Sequence, residues 1–143
     1  MAAIADYLHP DELARFKRMV EPAFTEVGVQ SEGDRKLAQA LFGADASPAS
    51  IKAMPPRDFV LAVMRLVDRR TRNAGVTLGH GDVLGAVREN DLVHLVVRMS
   101  GGAAEVQITQ LEVVSLKQFQ DTWRLMLSGK IEGFAEALRN RKK

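Results

Sequence analysis

His94 is the residue of this sequence whose type and position best suit acid–base chemistry. An imidazole exchanges a proton near neutral pH and can therefore serve as a general base. His94 lies inside the apolar run Leu92–Met99, where alternation places Arg98 on the same side. The candidate catalytic residues are His94, Arg98 and Glu112, the last on the following run. The candidate ligand-binding residues are His94, Arg98 and Gln110.

These residues also have a purely structural interpretation, in which His94 and Arg98 are hydrated on the outer or dimer face of a sheet. General-base catalysis usually requires a partner for the base, and the sequence fixes none for His94. A second histidine occurs in His80-Gly81-Asp82, where the flanking glycines favour a turn. With three histidines and no cysteine, a metal shell would need several carboxylates at a suitable spacing, and the sequence shows none. The sequence therefore predicts no metal site and no cofactor.

Composition limits the classes of protein to which the chain can belong. Its 143 residues are 46% hydrophobic and 27% charged, which is typical of a globular domain. The absence of cysteine excludes disulfides and cysteine nucleophiles, and it fits a reducing compartment. No signal-peptide pattern and no apolar run of about 18 residues occurs. We therefore expect a cytoplasmic protein with no membrane partner.

The charge balance does not predict a nucleic-acid partner. Twenty Lys and Arg residues against 18 Asp and Glu residues give a net charge of +2. Binding to phosphate backbones requires a concentrated basic face. The basic clusters are Arg15/Lys17/Arg18, Arg65/Arg69/Arg70/Arg72 and the terminal Arg139–Lys143. Because the first two fall on predicted helices, solvated polar faces are the simpler explanation.

The first half of the chain has helical periodicity. A helix is predicted from Pro10, with a kink or break at Pro22 and an end near Gly28. A second spans about Glu32–Phe42, between an N-cap serine and a terminating glycine. A connector with at most one short turn follows, and a third helix begins at Pro55-Pro56 and ends at Asn73-Ala74-Gly75.

From Val76 the apolar period changes to two, which predicts strands. The expected strands are Val83–Arg88, Leu92–Met99, Ala104–Lys117 and Thr122–Leu127. Glu89-Asn90-Asp91 and Ser100-Gly101-Gly102 are the expected turns between the first three. The apolar parity changes along the third run, which predicts a β-bulge or strong bend near Gln110. A short helix is expected over Ile131–Arg139.

These elements predict an α+β fold. N-terminal helices pack on a strongly bent antiparallel four-stranded meander, and a short C-terminal helix follows. We expect a single domain over residues 1–143, because no repeat or low-complexity linker divides the chain. Its helices occupy about residues 10–75, its sheet about 76–127 and its C-terminal helix about 131–139.

The second half resembles the nuclear transport factor 2-like superfamily, also described as cystatin-like or ketosteroid-isomerase-like cones. The resemblance is carried by the turn Arg88–Asp91, the runs Leu92–Met99 and Val106–Leu116, and the segment Gln120–Leu125. In that segment a turn precedes the Trp-Arg pair and apolar residues, as in the closing strand of those proteins. Two features differ: Ala44–Pro56 lacks a strand pattern where members usually have a strand, and a C-terminal helix is not universal.

The resemblance implies a pocket between the helices and the concave face of the sheet, suited to a small apolar ligand. It also implies a homodimer formed through the outer face of the sheet. The superfamily includes isomerases, dehydratases and non-catalytic modules, so the fold does not choose a function. One hypothesis is a non-catalytic ligand-binding or interaction module. The other is a cofactor-free isomerase or dehydratase with His94 as general base and Arg98 or Glu112 as its partner.

Overall fold

The computed structural model describes residues 4–26, 31–73, 75–103 and 106–140 of the chain. Its helices are α1 (Ile4–Tyr7), α2 (Pro10–Val20), α3 (Pro22–Thr25), α4 (Glu32–Phe42), α5 (Pro48–Ala53), α6 (Pro56–Asn73) and α7 (Lys130–Asn140). Its strands are β1 (Val76–Glu89), β2 (Leu92–Ala103), β3 (Val106–Phe119) and β4 (Thr122–Leu125). The predicted α+β fold, with N-terminal helices on a four-stranded antiparallel sheet and a short C-terminal helix, is confirmed.

Local capping explains where the helices begin and end. Pro22 separates α2 from α3, as the sequence predicts, since proline cannot continue the hydrogen-bonding of a helix. The side chain of Ser31 accepts a hydrogen bond from the Asp34 N–H at 3.1 Å and so caps α4. Gly43, with a φ of 104°, ends that helix. In the connector, Ser47 caps α5 through a reciprocal capping box.

The hydrophobic core lies among the helices. Phe59 of α6 is fully buried and stacks on Phe42 of α4 at a centroid distance of 5.2 Å. It also meets the ring of Phe16 edge-on at 6.2 Å, and Phe24 lies 6.4 Å away. Leu125 of β4 packs against this cluster from the sheet. The helical half therefore folds around its own core and contacts the sheet at the β4 end.

The sheet has the strand order β1-β2-β3-β4, a plain antiparallel meander. The predicted bulge near Gln110 is wrong, because β2 and β3 pair without a register shift along their whole length. The shifts lie in β1 instead, between Leu78 and Gly81 and between Val83 and Gly85. The parity change in the third run therefore has another cause: β3 carries apolar side chains on both faces of an unbroken strand.

The predicted turn at Ser100-Gly101-Gly102 is also wrong. Strand β2 continues through these residues to Ala103, and Gly101 pairs with Ile108 of β3. Glycine favours turns but also adopts the extended conformation, and here the ladder with β3 decides between them. The predicted turn before β2 is confirmed at Asn90-Asp91, where Asn90 has a φ of 54°.

Several predictions are not tested by the described part of the chain. The strong bend of the sheet and its closure into a cone stay predictions. Gly28 and the terminal residues 141–143 lie outside the described residues, as do the side chains of His80, Arg139 and Asn140. None of the described helices is long and apolar enough to cross a membrane.

Candidate functional site

The register of the sheet decides which of the candidate residues share a face. Residues directly opposite each other in an antiparallel pair lie on the same face. Val97 pairs with Glu112 and Met99 with Gln110, so these four side chains share what we call the Val97 face. His94 pairs with Ser115 and Arg98 with Leu111, and these four share the opposite side, the His94 face.

The helical layer meets the sheet on the Val97 face. Leu125, which is opposite Leu116 on that face, packs against the hydrophobic cluster. Lys130 at the start of α7 donates a hydrogen bond to Glu112 Oε1 at 2.5 Å. Val97 itself is 7% exposed but lies outside the helical cluster. At the β4 end the helical region therefore reaches the Val97 face, and its N-terminal residues also contact the His94 face. The ring of His9 lies 5.2 Å from that of Phe119, and Arg124 donates a hydrogen bond to the Asp6 carbonyl.

His94 is the centre of a polar row across three strands. Its Nδ1 lies 2.8 Å from Ser115 Oγ on β3, and its Nε2 lies 3.3 Å from Glu89 Oε2 on β1. The His94 side chain is half-buried, whereas the Glu89 carboxylate is exposed. Both ring nitrogens therefore have a partner that fixes the orientation of the imidazole. The row can hold or relay a proton along its hydrogen bonds.

The main chain around this row is engaged in the sheet. Strand β2 is paired with β1 on one side and β3 on the other, so its main-chain N–H groups are used in the ladder. An oxyanion-type site needs hydrogen-bond donors aimed at the reacting atom. The main-chain N–H groups of a fully paired strand are not free to serve as such donors. His94, Ser115 and Glu89 are therefore residue types that can perform acid–base chemistry, and they lie on the surface of the sheet.

The other candidate residues do not join His94. Arg98 is on the His94 face but four residues further along β2. There it lies directly opposite Asp82 of β1. Glu112 is on the opposite face, where its Oε1 accepts hydrogen bonds from Lys130 and from Gln110 Nε2 at 2.7 Å. The suggested partnership of Glu112 with His94 is therefore wrong, because the two side chains lie on opposite faces of the sheet.

Large hydrophobic side chains are exposed along the sheet. Leu111 is 66% exposed, Val87 62% and Val113 61%, all on the His94 face. On the Val97 face, Val83 and Ile108 are exposed to a similar extent. The helices bury their large apolar residues except at α1, where Ile4 and Tyr7 are exposed among the described side chains. Apolar surface of this kind marks an interaction site more often than a solvent face.

The total surface of the chain is large for its mass. A compact monomer of 15.7 kDa is expected to expose roughly 7,300 Å². This chain exposes 9,320 Å². The excess is roughly 2,000 Å², so the chain is less compact than an average monomer of its mass.

The described cavities lie between helices. One of about 50 Å³ is lined by apolar side chains of α3, α4, α6 and α7, together with Arg70. It has room for a few water molecules but not for a drug-sized ligand. A wider groove between α4 and α6 contains Arg65, Asp68, Arg69 and Arg72.

The basic clusters on the helices serve the packing of the fold. Arg72 pairs with Asp68 on the same helix, and Arg69 donates to the Ala40 carbonyl at 3.1 Å. In the other cluster, the hydrogen bond to Glu132 raises the pKa of the Arg15 guanidinium above its ordinary value, with Glu12 adding to the effect. Arg15, Arg69 and Arg72 therefore have partners within the protein.

Two residues of the polar row were missed by sequence reasoning, Ser115 and Glu89. The misplaced turn at Ser100-Gly101-Gly102 shifts the expected register of β2 against β3, so Ser115 could not be matched with His94. Within the described residues, no group of three or more His, Asp or Glu side chains could hold a metal ion.

Comparison with known proteins adds no family to this picture. No protein-family model matches the chain, and neither does any curated protein or any solved structure.

Proposed function

We propose that this chain is a non-catalytic interaction module that forms a homodimer through its sheet. The observation that carries the proposal is the exposed apolar surface of β1 and β3, next to helices that bury their own apolar residues. Leaving such side chains in water costs about 25 cal/mol per Å² of apolar area. A second copy offers the same surface at the same concentration, so a symmetric interface is the simplest way to cover it.

The two faces of the sheet support an interface better than a catalytic site. Leu111, Val113 and Val87 surround the polar row on the His94 face and would be desolvated together with it. The row already satisfies both His94 nitrogens internally, so its burial leaves no imidazole nitrogen unpaired. Apolar contacts around a satisfied polar centre are what a stable interface needs.

The dimer is tested by sedimentation equilibrium over a range of protein concentrations. The triple variant Val87→Thr, Leu111→Thr and Val113→Thr keeps strand propensity but removes the apolar surface, so we expect dimerisation to weaken tenfold or more, about 1.4 kcal/mol. Tyr7→Ser, at an exposed apolar residue of α1, is the matched control and should leave dimerisation unchanged. A wild-type protein that stays monomeric, or a triple variant that dimerises normally, overturns the proposal.

A second candidate function is a cofactor-free isomerase or dehydratase with His94 as general base. The observation that favours it is the hydrogen-bonded row, in which Glu89 and Ser115, rather than Arg98 or Glu112, orient the imidazole. A suitable probe is a panel of apolar β-hydroxy ketones, whose dehydration to conjugated enones is followed by absorbance. Turnover that is lost in His94→Ala supports this candidate. Equal turnover in His94→Ala and the wild type removes it.

The proposal includes a modest site for a small apolar ligand where the helices meet the Val97 face. Its support is the apolar contact on that face, where Leu116 lies opposite Leu125 and Leu125 packs against the helical cluster. Trp123 is the single tryptophan and shares this face, since it is opposite Gln118. Binding of a small apolar probe should therefore change Trp123 fluorescence, and an unchanged spectrum at saturating probe argues against the site.

The likeness to the nuclear transport factor 2-like superfamily also belongs to the proposal. It is supported by the order of the elements, helices first and then an antiparallel meander. A cytoplasmic location is proposed on the absence of cysteine, which fits a reducing compartment.

A further inference from the structure

The sheet has two outer edges that differ in regularity. Strand β1 forms one edge and is interrupted by two register shifts. Strand β3 forms the other edge over residues 106–114, because β4 pairs with β3 at Leu116–Phe119 and Met126 donates to the Ser115 carbonyl. Bulges are one of the devices that protect an edge strand from pairing with another chain. The β1 edge has this protection, whereas the β3 edge is regular.

The open segment of β3 also lacks the other protective devices. Its sequence from Ile108 to Val114 is Ile-Thr-Gln-Leu-Glu-Val-Val, with no proline, no lysine and a single charge. That charge, Glu112, already accepts a hydrogen bond from Lys130. Regular apolar edges of this kind are templates for another strand.

The direction of the main-chain groups on this edge follows from the known hydrogen bonds. The Ser115 carbonyl accepts from Met126 beyond the outer edge, whereas the Gln118 N–H donates to Asp91 on the β2 side. Because these directions alternate along a strand, Val113, Leu111 and Thr109 point their N–H and C=O groups outward like Ser115. Every second residue of the open segment therefore offers a donor and an acceptor to a further strand.

We propose that the β3 edges of two copies pair antiparallel around a twofold axis at Leu111, joining the two sheets into one of eight strands. This inference rests on the existence of the proposed dimer but places the contact at the β3 edges, where it covers Leu111 and Val113 and leaves Val87 of β1 outside the contact. In this register Leu111 is opposite its symmetry mate, and Thr109 is opposite Val113 of the second copy. All three pairs on this face are hydrogen-bonded pairs, because their main-chain groups point outward.

The opposite face of the new pair is complementary in the same register. Gln110 lies across from Glu112 of the second copy. The Gln110 amide donates one N–H to Glu112 of its own chain, and its second N–H can meet the partner's carboxylate. Ile108 lies across from Val114, an apolar pair. The paired segment therefore ends at Val114, immediately before Ser115, where β3 begins to pair with the β4 segment.

Neighbouring registers with the same symmetry are worse. Centring the axis on Glu112 places two carboxylates opposite each other, which is destabilising in cross-strand pairs. Centring it on Gln110 places the Glu112 carboxylate opposite apolar Ile108. A twofold axis normal to the sheet places even-numbered residues opposite even-numbered ones and odd opposite odd. Of the centres at Gln110, Leu111 and Glu112, Leu111 is therefore favoured.

Because the chain contains no cysteine, single introduced cysteines report the contact without background. Leu111→Cys places two thiols in a hydrogen-bonded pair with a Cα separation of about 5.5 Å, within the range of disulfides. We expect it to form a covalent dimer under mild oxidation at low protein concentration. Val87→Cys is the matched control, because Val87 is on the same face and equally exposed but belongs to β1. It should stay monomeric on a non-reducing gel.

The outcomes separate this inference from the proposed function. Cross-linking of Leu111→Cys with little of Val87→Cys supports edge pairing. A wild-type dimer in solution with cross-linking through Val87→Cys alone keeps the proposed function and overturns edge pairing, since the faces rather than the edges would then meet. A wild-type protein that is monomeric overturns both.

A proline substitution tests whether main-chain hydrogen bonds of the β3 edge hold the dimer together. Thr109→Pro removes an outward N–H donor while leaving the β2 ladder in place, because proline is tolerated on an edge strand whose N–H faces solvent. We expect at least a tenfold weaker dimer with an unchanged circular dichroism spectrum. Ala86→Pro is the control at an outward position of the β1 edge and should dimerise like the wild type. If Thr109→Pro and Ala86→Pro dimerise equally well, pairing through the β3 edge is contradicted.

Discussion

The helical half and the strand half of this chain use their apolar residues in opposite ways. The helices turn theirs toward one another, so that Phe16, Phe59 and Val60 are fully buried. In β1 and β3, apolar side chains of comparable size, such as Leu111, lie in water on both faces of the sheet. A strand with two apolar faces needs cover on both, and the helices reach the Val97 face at one end. The difference indicates that the helical half completes its core within one chain, whereas the sheet does not.

The largest expected effect contrasts the two regions directly. Phe59→Ala removes a fully buried ring that packs on three other aromatic rings, and it should lower the free energy of unfolding by about 3–5 kcal/mol. Leu111→Ala, at an exposed position, should change it by less than about 0.5 kcal/mol under dilute, monomeric conditions. Urea unfolding checks both. Equal losses would mean that the sheet is as well buried as the helices, and the contrast would fail.

A smaller effect is expected at the contact between the two regions. The buried carboxylate of Glu12 on α2 accepts a hydrogen bond from the Leu127 N–H, just beyond β4, at 3.2 Å. Glu12→Ala leaves that half-buried donor without its partner and should cost about 1–3 kcal/mol. Glu132→Ala removes the other, exposed partner of Arg15 and should cost less than about 1 kcal/mol. Thermal unfolding of the two variants measures the difference, and equal stability losses would show that the Glu12 contact does not join the regions.

Within the helical half, the capping box of α5 gives a more local prediction. Ser47→Ala removes the side-chain acceptor for the Ser50 N–H and should destabilise the protein by about 1 kcal/mol. Ser47→Gly should cost only a few tenths of a kcal/mol, because glycine is tolerated at an N-cap. Chemical denaturation distinguishes the two variants. A Gly variant as unstable as the Ala variant would contradict the capping role.

In the strand half, the smallest expected effect is a stabilisation. Gln120 has a φ of 53° in the turn between β3 and β4, a conformation that costs most residues about 1–2 kcal/mol. Gln120→Gly should relieve part of this strain and raise the free energy of unfolding by up to about 1 kcal/mol, less the entropy that glycine loses on folding. Asn90→Gly should gain less, because asparagine tolerates this region better. A loss of stability in Gln120→Gly would show that the Gln120 side chain supports the turn.

Regular local signals made much of the fold predictable. Pro22, the N-cap Ser31 and the terminator Gly43 place helix boundaries because each acts through its own backbone or its nearest neighbours. The strands and the two faces of β2 were recognised from their period of two, but the turn expected at His80-Gly81-Asp82 is wrong, because these residues continue strand β1. The site was predicted less well. His94 was identified, but Ser115 depends on the register of β2 against β3, which the turn wrongly expected at Ser100-Gly101-Gly102 obscured. Glu89 was missed although it lies across the correctly predicted turn at Asn90-Asp91.

The sequence by itself determined the α+β class, the order of the elements and the lack of cysteine chemistry, since composition and periodicity act through local propensity and burial. Only the tertiary structure decided that Glu112 and His94 lie on opposite faces, because one residue of register moves a side chain across the sheet. It also decided that Ile108, Leu111 and Val113 of β3 stay exposed. Burial depends on what covers a strand, and that cover comes from distant helices or from another molecule.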